Sequence, residues 1–379
     1  MNINNSNVKV LSLFSGIGAF EKALNNLNIN YRLIGYCDND KYASKAYSAI
    51  HKIDESLNLG DIRDIDETKL PEFDLMTYGF PCQDISVAGR QKGITGETRS
   101  GLVFDALRIL KYNKPKYAIA ENVKNLISKR LKNDFLNLLD ILNSYGYNNY
   151  WCVLNAKSFS IPQNRERVFI VSIRKDIDKG YSFPEPTKLT KKVRDFLDEE
   201  VERKYYWSEN MLKLLLRRKE QGYSKFVQDS YAKCFTASIS YLETNLISIK
   251  DGTKKGYKEF IPTPETVLNL SFPNSQTKRG RVKNGYTPTL DTSCNVGVFE
   301  NNEVRKLTPL ECWRLMGFED SDYWAARYAL EQAFYNGKDR SDSQMYKMAG
   351  NSIVVNVLEA IFRNLLVDLL QKNNRFEAA

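Results

Sequence analysis

Histidine is almost missing from this chain: His51 is the only one in 379 residues. Cys-His and Ser-His-Asp mechanisms and most zinc hydrolases need an imidazole in the site, so any cysteine chemistry here must run without a histidine base. His51 itself is expected at the end of a helix near Asp38, as a surface residue. The six cysteines are scattered without a CxxC spacing, which leaves neither a metal site nor a disulfide framework and fits a reducing cytoplasm. Long apolar runs are lacking too. The most apolar late stretch, residues 353–370, is broken by Glu359, Arg363 and Asp368, and residues 1–7 are polar with no basic-then-apolar pattern. No membrane span and no export signal are expected, and a cytoplasmic location follows. There is no internal repeat.

What is present is a hydrophobic content of 42%, enough for a large core in one big domain with an insertion or in two domains. Lys and Arg exceed Asp and Glu by 55 to 46, and the formal charge of +9 favours a polyanionic partner without identifying one.

Residues 8–14 read as a strand, Ser15-Gly16-Ile17-Gly18 as a tight turn and residues 19–27 as a helix with Phe20, Ala23, Leu24 and Leu27 on one face. Glycines let a backbone approach a ligand, and a helix N-terminus offers free N–H groups; two glycines can equally make a simple turn. Residues 31–37 form a second strand ending in Asp38-Asn39-Asp40, where an acid is placed to accept from ribose hydroxyls. Gly60-Asp61-Ile62 adds a second acidic turn that suits an adenine amino group. Each aspartate alone could be a helix cap, but together they outline an adenosine-shaped pocket.

Residues 73–78 read as a buried strand followed by Gly79-Phe80-Pro81-Cys82-Gln83. Reactive groups of open α/β sheets gather beyond the carboxyl ends of strands, and Cys82 lies at that address, so it is read as a nucleophile rather than a buried thiol. Residues 84–101 carry four glycines with Arg90, Lys92 and Arg99, the composition of a basic active-site loop ahead of a helix from Leu102 to Leu110. Residues 117–120 are a short strand with Glu121-Asn122 at its carboxyl end, an acid on the same rim or a helix cap. The helix at 134–144 is expected to bury Leu136, Leu139 and Leu142. A strand at 150–154 follows, and then Gln163-Asn164-Arg165-Glu166-Arg167 leads into a strand at 168–173; period two puts Gln163, Arg165 and Arg167 on one face.

The α/β alternation stops near Tyr181, and residues 181–300 read as a second domain between a first at 1–180 and a C-terminal part at 301–379. Its basic residues, Arg279 and Arg281 among them, alternate with aromatics in a way that fits nucleic-acid contact or a merely soluble surface. Thr308-Pro309-Leu310-Glu311 then has the form of a capping box with proline at the first helical position. Gly350-Asn351-Ser352 is expected as a turn before a helix at 353–370.

In order along the chain, Phe14-Ser15-Gly16-Ile17-Gly18, Pro81-Cys82-Gln83, Glu121-Asn122-Val123, Gln163-x-Arg165-x-Arg167, residues 305–318 and Gly350-Asn351-Ser352 resemble the motifs of the bacterial DNA (cytosine-5)-methyltransferases of restriction-modification systems. The resemblance covers roughly residues 8–173 and 305–366 and leaves the middle as a variable target-recognition domain. Asp38 stands where many members carry glutamate. The resemblance implies a doubly wound, Rossmann-like α/β sheet binding S-adenosylmethionine, with a second, smaller, irregular domain. It implies a catalytic set of Cys82, Glu121, Arg165 and Arg167. The cofactor pocket it implies comprises Phe14, Gly16, Ile17, Gly18, Asp38, Asn39, Asp61, Ile62, Pro81, Leu102, Asn351 and Ser352. It implies a monomer with no metal, acting on a cytosine flipped out of double-stranded DNA, with Gln83, Ser86, Arg90, Arg279 and Arg281 as candidate DNA contacts. A cognate restriction endonuclease would act on the same site. Cys234-Phe235-Thr236 resembles a signature of the tRNA-methylating branch, which keeps open a tRNA substrate; a catalytically silent DNA-binding protein, or a nucleotide-binding oxidoreductase using only the first βα unit, is the other alternative.

Overall fold

Alternation along the first strand sets the architecture. In β1 (Val8–Leu13), Val8 and Val10 enter one hydrophobic core while Leu11 and Leu13 enter another. The computed structural model describes residues 8–81, 99–206, 249–253, 256–260, 263–269, 282–300 and 303–366. β1 pairs in parallel with β2 (Tyr31–Cys37) on one side and β3 (Leu75–Tyr78) on the other, and β3 pairs in parallel with β4 (Tyr117–Val123). β5 (Tyr147–Asn155) and β6 (Glu166–Arg174) complete the sheet in antiparallel fashion, in the order β2-β1-β3-β4-β6-β5. The same two-sided alternation recurs in β4, where Ile119 joins the first core and Ala118 and Ala120 the second. A sheet buried on both faces must be covered by helices on both.

The first face is covered by α1 (Ala19–Asn26), and the second by α3 (Val103–Asn113) and α4 (Lys132–Ser144); α2 (Lys41–His51) follows β2. Chain order reverses between β1 and β3, so a crevice opens at their carboxyl ends, where ligands of such sheets bind. Four C-terminal helices pack on the first face: α5 (Pro309–Arg314), α6 (Asp320–Phe334), α7 (Asp342–Asn351) and α8 (Val355–Leu365). The last returns beside α1, with Phe362 edge-on to Phe20 at 6.3 Å and Asn26 donating to Glu359 at 2.7 Å.

Two antiparallel sheets lie between these parts. One is the hairpin of β7 (Ile249–Thr253) and β8 (Gly256–Phe260). The other joins β9 (Thr266–Asn269), β10 (Val282–Asn284), β11 (Val296–Glu300) and β12 (Glu303–Lys306) in the order β10-β9-β11-β12. Val267, Val296 and Val298 of this sheet share the first core with Leu310 and Trp313 of α5. The β11–β12 hairpin straddles residue 300.

The doubly wound α/β class is as expected, whereas the middle of the chain, expected to be irregular, carries antiparallel strands; the capping box at Thr308 and Glu311 forms with both of its hydrogen bonds. Several local readings are corrected. β4 runs through Glu121 and Asn122, so these residues lie within the strand rather than past it. The buried face of α4 is Phe135, Leu138 and Leu142, and Leu136 is 45% exposed; the phenylalanine offered the larger apolar area and set the face one position earlier. Gly350 and Asn351 end α7 instead of forming a free turn, and the following helix starts at Val355.

Candidate active site

The β1–α1 turn is built on left-handed backbone: Phe14, Gly16 and Gly18 have φ of 54°, 56° and 77°. A side chain at Gly16 would meet nothing within 4 Å, so the turn opens onto free space, whereas one at Gly18 would fall 2.1 Å from Nε2 of His51. The Asp38 carboxylate at the end of β2 holds this turn by accepting from the Gly16 N–H at 2.8 Å and from the Asp40 N–H at 2.8 Å. Burial raises the Asp38 pKa, against the lowering effect of those two N–H donors. Ile17 and Ile62 bury their side chains in the cores. Asp61 caps a single 3₁₀ turn and is gripped by the Arg63 guanidinium at 2.6 and 2.9 Å, which lowers its pKa to about 2; Asn39 stands beside it. Lys347 of α7 reaches Asp40 at 2.6 Å, and Asn351 lies one helical turn further on, so α7 closes the side of the pocket next to the Asp38 turn. Free space above the glycine turn, flanked by the half-buried Asp38 carboxylate and the ionised one of Asp61, suits a ligand rich in hydroxyl and amino donors. Leu102, half-buried, starts α3 on the far side.

His51 is not the free surface residue expected. Its ring packs on Tyr47 at 4.7 Å with Nε2 3.2 Å from the Ile17 carbonyl, and burial pushes its pKa down to about 4. A ring that is neutral near pH 7 donates to that carbonyl and props the glycine turn from behind. The unfolded chain takes up a proton at His51 near pH 6.5 and the folded chain only near pH 4, so stability falls as the pH falls between them. Relative to His51→Gln, the wild-type protein should lose about 2 kcal/mol more between neutral pH and about pH 5. Urea midpoints at the two pH values check this; Lys22, Asp322 and Tyr47, which also face the ring, are unchanged in both proteins.

At the end of β3 the chain passes through Gly79, Phe80 and Pro81 toward the proposed nucleophile. Cys82, Gln83, Ser86, Arg90, Arg279 and Arg281 lie outside the described residues. The surroundings of Pro81 are defined. Asn122 donates from Nδ2 to the Phe80 carbonyl at 3.0 Å, and Oε2 of Glu121 lies 3.7 Å from where a side chain on Gly79 would begin. Oε1 of Glu121 pairs with Nε of Arg167 at 3.0 Å, both side chains being largely buried. Burial raises the Glu121 pKa, opposed by Arg167 and then Arg165, so this is a carboxyl inclined to hold a proton.

Arg167 therefore faces the acid, while Arg165 faces elsewhere. Its guanidinium donates to the carbonyls of Leu290 at 2.8 Å, Gly350 at 2.9 Å and Ser352 at 2.6 Å, and the residue is 3% exposed. Gln163 grips the same Leu290 from the other side, accepting from its N–H at 3.2 Å, and donates to the Leu315 carbonyl at 2.9 Å. Gly350 sits so close to Asp291 that a side chain would begin 2.2 Å from the Asp291 carbonyl oxygen. Gln163 and Arg165 thus clasp three distant segments just before β6, and Arg167 forms the ion pair with Glu121. Sequence reasoning missed Asn58 and Lys347, whose contacts pair residues far apart in the chain and leave no periodic mark, and named Asn122 only as the neighbour of Glu121.

Comparison with known proteins identifies a family. Residues 8–366 match the family model described as C-5 cytosine-specific DNA methylase. The orphan methyltransferase M.SPRI of Bacillus phage SPR is 33% identical over 97% of this chain and 99% of its own length. The type II methyltransferase M.HhaI of Haemophilus parahaemolyticus is 31% identical over 94% of each. Among solved structures, the Dnmt2 methyltransferase of S. pombe aligns with 97% of this chain and 99% of its own at a TM-score of 0.60 and 20% identity, a likeness of fold.

Proposed function

The chain belongs to the C-5 cytosine-specific DNA methylases, a family of S-adenosylmethionine-dependent enzymes of restriction-modification systems, and from that premise we propose how its own residues methylate DNA. The observation that carries the proposal is Glu121: a buried carboxyl with a raised pKa, fixed by Arg167 and placed beside the Gly79 to Pro81 approach to Cys82. The glycine turn and the Asp38 and Asp61 turns would hold S-adenosylmethionine, which would supply an electrophilic methyl group.

Cytosine C5 is a weak nucleophile, so the ring must first be activated. The Cys82 thiolate adds to C6, and C5 becomes an enamine carbon able to take a methyl group. Glu121 gives a proton or hydrogen bond to N3 as negative charge develops on the ring, and Arg167 orients the acid while offering its guanidinium to the O2 edge. Arg165 supports this group indirectly, by fixing the segments around it. Once C5 carries the methyl group and S-adenosylhomocysteine is left behind, loss of the C5 proton to water or a side chain and elimination of the Cys82 thiolate, with N3 returning any proton to Glu121, release 5-methylcytosine. Since C6 is hidden in a duplex, the base is swung out of the stack, with residues 84–101 closing over it and Gln83, Ser86 and Arg90 near the gap. The product mark would protect the site from a cognate restriction endonuclease. A duplex labelled with tritium at cytosine C5 should release one tritium for each methyl group incorporated; methyl incorporation without tritium release would place the reaction at another atom.

Residues 181–300 are proposed to read the DNA sequence, with Arg279 and Arg281 among the contacts. Exchanging residues 189–288 for the matching segment of a relative should transfer sequence preference and leave cofactor affinity unchanged. Bisulfite mapping of the chimera's products checks this, and retention of the original site would contradict it. The exchange stops short of Leu290 and Asp291 because Arg165 and Gly350 seat on them.

A further inference from the structure

Asn58 occupies the short link between α2 and the Asp61 turn, next to the end of β2, where it makes an isolated parallel bridge to Tyr36. Its amide uses all four of its hydrogen-bonding positions. Oδ1 accepts from the N–H of Asp38 at 3.3 Å and from the N–H of Gly60 at 2.9 Å. Nδ2 donates to the carbonyl of Asp38 at 3.0 Å and to Oγ of Ser44 at 2.9 Å. The orientation of the amide is fixed by these partners, because a flip would set its NH₂ against two N–H donors. Ser44 is buried on α2 and shares a hydrogen bond with the Tyr36 hydroxyl at 2.9 Å, so the amide is anchored to the framework behind β2.

One side chain therefore bonds both backbone groups of Asp38 and the residue before Asp61. Among the described residues, no backbone hydrogen bond ties the Asp38 turn to the Gly60 turn directly; the neighbouring links are Leu59 N–H to the Tyr36 carbonyl at 2.7 Å and the Cys37 thiol to the Gly60 carbonyl at 3.0 Å. We infer that Asn58 is a positioning residue for the cofactor, setting the distance between the two acidic turns that receive its adenosine half. The inference rests on the assignment of Asp38 and Asp61 to the cofactor pocket. Asn58 touches no reacting atom; it acts through the spacing of groups that do.

Asn58→Ala removes all four bonds, and Asn58→Asp keeps the two accepted from N–H groups while setting a carboxylate oxygen against the Asp38 carbonyl; only the Ser44 hydroxyl can reverse its role and donate. Both should weaken binding of S-adenosylhomocysteine, measured by calorimetry, by roughly tenfold to a hundredfold. KM for S-adenosylmethionine should rise in parallel, while KM for DNA and kcat at saturating cofactor stay within about twofold of wild type, the split expected when only ground-state positioning of one ligand is lost. A merely structural role would instead lower the melting temperature of the free protein and leave the S-adenosylhomocysteine affinity intact, and that result in either variant would overturn the inference. Asp38→Asn is measured alongside. If it weakens binding and the Asn58 variants do not, Asn58 alone is misassigned; if neither does, the pocket assignment fails and the inference with it.

Discussion

Replacing Cys82 by serine should lower methyl transfer by more than about a thousandfold, because an alcohol without an activating histidine is a far weaker nucleophile than a thiolate. The lone imidazole cannot help, since His51 is bound to the Ile17 carbonyl behind the glycine turn. With duplex DNA carrying 5-fluorocytosine at the target, the wild-type enzyme should transfer the methyl group and then stall, as fluorine cannot leave as a proton does. The adduct should survive denaturing electrophoresis and require S-adenosylmethionine. Cys82→Ser should form none, and Glu121→Gln should form it slowly while still binding DNA, because the amide has no proton to give to N3. An adduct in Cys82→Ser, or one mapped to another cysteine, would show that the nucleophile is wrong.

Arg165→Ala should be the most destabilising change near the site, costing about 3 to 5 kcal/mol and lowering the melting temperature by roughly 5 °C. The guanidinium donates to three carbonyls from two segments, and removal leaves them buried without that partner. Arg165→Lys keeps the charge but loses the planar fork, so it should recover only part of the stability. Thermal and urea unfolding report the loss directly. A folded Arg165→Ala protein with unchanged stability and no activity would instead place this arginine on the substrate.

These two residues also mark how far the sequence could be read. The glycine turn, the strand-end acids and the Thr308 capping box depend on neighbours within a few positions, and each was legible from local spacing. Glu121 was legible as an acid on the rim, but its burial and its Arg167 partner depend on the β4–β6 register, in which Val123 faces Arg167. Period two placed Arg165 and Arg167 on one face. The strand begins only at Glu166, however, and the residues before it turn toward Leu290 and the end of α7, more than a hundred positions away. Gly350 is demanded by the approach of Asp291 at a helix end, a constraint no helical pattern records. Asn58 carries no motif, because its role lies in joining two turns that do.

The central claim is that this chain places methyl groups on C5 of cytosine within a specific DNA sequence. The most direct test is to express it in cells lacking such methylation and to sequence 5-methylcytosine in both their DNA and their tRNA. A single recurring sequence context methylated in DNA, and lost with Cys82→Ser, is the predicted result; methylation confined to tRNA, or none in either nucleic acid, would contradict it.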